Sequence, residues 1–151
     1  MIELTASKSI SSYCIRGIPA ESIYLFWHYA EPYIKRAFDH TCGELTPDDM
    51  RTLCEERKCQ LWLVSHENRV IAAATTEIVN YPQRRHCRVI TIAGSSAQEW
   101  TGQMDEVLYA WAKSMNCDAL EAHVRKGYVA KLSQYGFKHR YSTVVKEIDH
   151  G

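Results

Sequence analysis

A chain of 151 residues with 46% hydrophobic residues can bury one core and is too short for two, so a single domain over 1–151 is expected. Lysine plus arginine balances aspartate plus glutamate at 18 each, which leaves no basic field for nucleic acid and no acidic tail. No apolar run approaches the ~20 residues that span a bilayer and no signal-peptide pattern precedes the chain, so no membrane partner is expected and the expected location is the cytoplasm.

Residues 1–12 are polar and weakly patterned, and a first strand would include Tyr13, Cys14 and Ile15. Pro19 suits the first turn of a helix whose Ile23, Phe26, Trp27, Ala30, Ile34, Ala37 and Phe38 make an apolar stripe, with Pro32 as the point of a bend. Packing claims Phe26 and Trp27, and Tyr24, Tyr29 and Tyr33 are left over for an interface. Thr46-Pro47-Asp48-Asp49 is a helix start: the threonine can cap, proline fits the first position and the acids favour the dipole. That helix should reach about Arg57. Residues 60–65 and 70–79 read as strands joined by a polar turn, an antiparallel hairpin.

After the breaker at Tyr81-Pro82, residues 88–93 are a nearly continuous β-branched run, which suits a strand buried on both faces. Ser96 followed by Glu99 fits a capping box, and Trp100, Met104, Val107, Leu108, Trp111, Ala112 and Met115 fall at helical intervals. Asn116 can take the left-handed conformation that ends a helix, and residues 119–124 then alternate as a strand. A strand, helix, strand unit crosses over right-handedly, so its two strands should be parallel. The helix N-terminus at Ser95 to Gln98 then faces the carboxyl end of the first strand, and its free amides make a potential anion site. A short helix closing on Tyr135-Gly136-Phe137 and a final strand over 137–148 complete the order.

The six cysteines, at 14, 42, 54, 59, 87 and 117, lack CxxC spacing and have no histidines at zinc-finger offsets, so reduced thiols and no metal are expected. No cysteine sits in a recognisable nucleophile arrangement.

This order of elements, with Gly94 before a helix and Ala130-Lys-Leu-Ser-Gln-Tyr-Gly-Phe137, resembles the GNAT superfamily of acetyl-CoA-dependent N-acetyltransferases over nearly the whole chain. Gln60-Leu-Trp-Leu63, Tyr81-Pro82, Trp111-Ala-Lys113, Asn116-Cys-Asp118, Arg125-Lys-Gly-Tyr128 and Tyr135-Gly-Phe137 look more narrowly like small GNAT-like proteins encoded by tailed phages near their virion genes. The resemblance implies an α/β fold with a central mixed sheet flanked by helices. It also implies acetyl-CoA as cofactor and a small-molecule or protein amine as acceptor. The phage-type alternative is a catalytically silent fold in the host cytoplasm, with a virion-associated role or a phage or host protein partner.

In GNAT enzymes the strand before the helix offers backbone groups to pantetheine, and an Arg/Gln-x-x-Gly-x-Gly/Ala turn wraps the pyrophosphate. The matching residues are Ile92, Ala93, Gly94, Ser95, Ser96 and Ala97, with one glycine and no Arg or Gln opening the turn. The tyrosine that many members use to protonate the departing thiolate falls here on Leu132, and Tyr128 or Tyr135 would substitute from nearby. Arg125, Lys126 and the cluster Arg84, Arg85, His86 are either phosphate or partner contacts or solvated surface charge. An acceptor amine needs a base, and Glu77, Glu121 and His123 are the strand residues that offer one. Glu121 and His123 share a face because strand side chains alternate; the bland reading is a polar, solvated face.

Overall fold

The structure is a computed structural model and describes residues 13–39 and 43–151, so the reading of residues 1–12 and Cys42 falls outside the described residues. Glu67 and Asn68 take φ of 51° and 66°, as a two-residue hairpin turn requires to match strand twist, and they join β2 (Gln60–His66) to β3 (Arg69–Asn80). With β1 (Tyr13–Ile18), β4 (Arg85–Gly94) and β5 (Ala119–Ala122) these make one sheet in the order β1-β2-β3-β4-β5. Every neighbouring pair is antiparallel except β4 and β5, which are parallel as the crossover rule demands. This mixed sheet with helices on both faces is the expected fold class.

β2 alternates its apolar side chains between two cores. Leu61 and Leu63 join Ile18, Ala73 and α1 (Ile23–Phe38) with α2 (Pro47–Glu55) on one face. Trp62 and Val64 join Ala72, Ala74 and the Trp100, Met104, Leu108 stripe of α3 (Ala97–Ser114) on the other. Pro19 is extended and precedes a single 3-10 turn, Ala20–Ser22, so α1 begins later than expected. Pro32 lies inside α1 without ending it. A mid-helix proline costs about 3 kcal/mol, whereas burying Ile23, Trp27 and Ile34 to 3% exposure or less stabilises by about 1.5–3 kcal/mol each, so packing wins. Of the tyrosines, Tyr24 and Tyr29 are exposed, while Tyr33 packs on the core and donates its hydroxyl to the Val70 carbonyl. α2 starts on a full capping box between Thr46 and Asp49.

Two expectations fail at the ends of elements. Ser96 sits at φ 56°, ψ 38°, and its side chain makes no cap bond; a capping serine needs extended backbone to reach the next amides, so the Ser96–Glu99 box does not form. Residues 137–148 form no strand. α4 (Lys126–Ser133) ends in a left-handed Gly136 with Gly136 and Phe137 amides returning to Ser133 and Leu132, and from Lys138 onward every residue is exposed. β propensity without a neighbouring strand makes no ladder.

Candidate functional site

β4 and β5 pair from His86↔Ala119 to Val89↔Ala122 and then separate, while β4 continues to Gly94. The last shared pair is Val89 with Ala122. The cause lies on the other edge of β4, where Thr75 faces Thr91 and Thr76 faces Val89, leaving Ile90 as an extra residue. A bulge increases local twist and turns the strand away from its neighbour. Beyond it β4 loses cover: Ile92 is 42% exposed, so the strand is not buried on both faces as its composition implies. The gap is a cleft of about 100 Å³. Val89, Ile90 and Ile92 line it from β4, Met104, Asp105 and Leu108 from α3, His123 and Val124 after β5, and Leu132, Tyr135 and Phe137 around α4.

At the upper end stands the corner into α3. A Cβ on Gly94 would lie 2.1 Å from that of Ala72 and 2.6 Å from the Ile71 carbonyl oxygen, so close strand packing by itself requires glycine here. The Ser95 amide already donates to Ile71, and the Trp100 indole donates to the Ser95 carbonyl at 2.7 Å, which fixes the corner. The amides of Ser96, Ala97 and Gln98 take no acceptor among the described residues, at the positive end of an 18-residue helix. The corner therefore suits a phosphate through Ser96 to Gln98, and the apolar cleft below suits a pantetheine arm. Gly94 and the Ser95 amide are already occupied by the sheet.

On the α1 side of the sheet the shared part of β4 and β5 carries a charge network. Glu121 accepts from the Tyr81 hydroxyl at 2.6 Å, His86 Nδ1 at 2.8 Å and Arg88 Nε at 2.8 Å. Arg84 Nε donates to His86 Nε2, so the neutral ring carries its proton on Nδ1, toward Glu121. Burial pushes the Glu121 carboxyl up, but the bonds from Tyr81, Arg88 and His86 outweigh it and hold the group down at about 2. The Tyr81 phenol is raised in return, chiefly by its bond to Glu121. Such a carboxylate is a weak base and a good anchor. His123 Nε2 lies 3.3 Å from Glu121 Oε2, its ring mostly exposed and bordering the cleft. Glu77 is 3.7 Å from Arg88, across the network from His123.

The sequence-derived residues thus divide. Ile92, His123 and Tyr135 border the cleft, Glu121 reaches it through His123, and Ser96 and Ala97 form the corner into α3 without lining it. Tyr128 does not line it: Arg125 and Lys131 stack on that ring at 5.4 Å and 5.0 Å. Arg85 belongs to the sheet's support, bonded to Asn80 and the Met115 carbonyl. Asp105 escaped the sequence reading; burial, then Glu106, raises its carboxyl pKa. The available signal was a polar residue one position beyond Met104 in the apolar stripe. Leu132, where a tyrosine would be expected by resemblance, also faces the cleft.

Cys54, Cys59 and Cys87 are buried and pushed up to about 12, mainly by burial, so they stay protonated and weakly nucleophilic. Among the described residues no group of three or more His, Cys, Asp or Glu is placed to hold a metal ion, and no helix is long and apolar enough to cross a membrane.

This architecture is the α/β fold of the GNAT acetyltransferases. Glucosamine-6-phosphate N-acetyltransferase from Arabidopsis thaliana superposes with a TM-score of 0.66 at 13% identity, covering 92% of this chain and 100% of that one. A predicted acetyltransferase from Clostridium acetobutylicum, solved with acetyl-CoA, gives 0.66 at 14% identity, over 89% and 96%. Ribosomal-protein-alanine N-acetyltransferase from Brucella melitensis gives 0.67 at 12%, over 89% and 99%. No family model and no curated protein matches the sequence.

Proposed function

We propose that the cleft between β4 and β5 binds acetyl-CoA and that the protein transfers its acyl group to an amine. The observation that carries this reading is the parting of two parallel strands at the Ile90 bulge, with an apolar cleft between them and unclaimed amides at the α3 N-terminus. The C. acetobutylicum neighbour, solved with acetyl-CoA on the same fold, supports it. Acetyl-CoA supplies an activated thioester. The amides of Ser96, Ala97 and Gln98 hold its phosphates, and Ile92 and Val124 border its arm. His123 is the base. Its Nε2 lies 3.3 Å from Glu121 Oε2, and the ring takes the proton of the acceptor amine. Tyr135, the phenol that borders the cleft, holds a proton for the departing thiolate.

A second reading, the catalytically silent phage-type fold with a phage or host protein partner, is favoured by one observation: Gly94 and the Ser95 amide are consumed by strand packing. Thermal denaturation with 1 mM acetyl-CoA separates the two. A ligand at ~100 times its Kd adds about 2.7 kcal/mol, a rise of several degrees for a chain of this size. A rise together with acetylation of an amine panel supports the transferase; an unchanged melting temperature overturns it.

A further inference from the structure

The two acids at the cleft differ in what they already hold. Glu121 accepts from Tyr81, His86 and Arg88 and is fully engaged as an anchor. Asp105 lines the cleft directly, among Ile92, Met104 and Leu108, yet among the described residues its carboxylate takes no hydrogen bond and no ion pair. Burial leads the causes that push its pKa up and no cation is among them, so nothing in the chain offsets its partial desolvation. A half-buried acceptor without a donor is destabilising, and a ligand that brings an N–H relieves it.

Distance selects which N–H. With the phosphates of acetyl-CoA at the amides of Ser96 to Gln98, the arm descends along α3. Asp105 lies about 12 Å down the helix axis from Ala97, at 1.5 Å per residue, and its side chain leans back toward the helix N-terminus. In the pantetheine arm the cysteamine amide nitrogen is ten bonds from phosphorus, and an extended chain covers about 3.5 Å per three bonds, again about 12 Å. The nearer amide nitrogen, six bonds out, reaches only about 7 Å. We propose that Asp105 accepts the cysteamine N–H of acetyl-CoA and so fixes how deep the arm sits beside His123. This inference rests on the acetyl-CoA reading of the cleft and adds to it a residue that selects for the amide of the arm. The contact is the same before and during acyl transfer, so its loss raises KM for acetyl-CoA and leaves kcat nearly unchanged.

Calorimetric titration of the full chain with two ligands tests it: acetyl-CoA, and an analogue in which oxygen replaces the cysteamine N–H. The unchanged protein should bind the analogue about tenfold more weakly, the worth of one hydrogen bond. With Asp105→Leu or Asp105→Ala, which remove the acceptor, the two ligands should bind alike. Asp105→Asn keeps an acceptor oxygen and should restore the preference. Circular dichroism confirms that each variant is folded. Equal binding of the two ligands by the unchanged protein, or a preference that survives Asp105→Leu and Asp105→Ala, would overturn the role of Asp105 while acetyl-CoA binding stands. Binding of neither ligand would overturn that role and the acetyl-CoA reading together.

Discussion

The two halves of β4 face β5 in opposite ways. From His86 to Val89 the strands share a parallel ladder, and Arg88, His86 and Tyr81 converge on Glu121 across it. From Ile90 to Gly94 the same strand has no neighbour on that side among the described residues, and its apolar residues border a cleft. One extra residue at Ile90 separates a locked half from an open half. A sheet can thus present a binding gap without losing register, provided the closed half is tied firmly enough to keep β5 from drifting. The Glu121 network is that tie.

The contrast can be broken from either side. Gly94→Ala should destabilise the most, by about 3 kcal/mol, because the added methyl would meet Ala72 and the Ile71 carbonyl rather than a flexible side chain; a denaturant midpoint shift checks it. If the cleft is catalytic, His123→Ala should lower kcat about 100-fold, equivalent to ~2.7 kcal/mol, with the melting temperature unchanged because that side chain is 72% exposed. Glu121→Ala leaves Arg88 and His86 without their acceptor and should cost about 2 kcal/mol in urea unfolding. Acidification probes the same tie more gently. Glu121 sits at about 2 in the folded chain against 4.5 ordinarily, so the unfolded chain takes up its proton first. Its stabilisation is complete above about 4.5 and is lost as pH falls toward about 2, and Glu121→Gln should flatten that slope of stability against pH.

Much of this was legible in the sequence for definable reasons. The α3 stripe of Trp100, Met104 and Leu108, the Thr46 start of α2 and the turn before Val70 follow from local periodicity and capping chemistry, and the tertiary structure agrees with them. The bulge was not legible: Val89, Ile90 and Thr91 read as one β-branched run, and only pairing with Thr75 and Thr76 reveals the surplus residue. Hence the point where the strands part is not written in the apolar run. Ser96 looked like a cap by residue type, but cap function depends on a backbone conformation that a tight corner overrides. Residues 137–148 have strand composition, yet composition cannot supply a neighbour. The shared face of Glu121 and His123 was legible from strand alternation, and the structure brings the two to 3.3 Å. The weak basicity of Glu121 was hidden, since it depends on Tyr81 and His86 arriving from outside β5.

The sheet's ladders are unequal: among the described residues six, seven and nine register pairs join β1 through β4, and four join β5. A chain pulled from its C-terminus should therefore come apart in a fixed order, shedding α4 and β5 before the antiparallel core yields. Single-molecule extension would show that sequence as a small early step followed by one larger rupture.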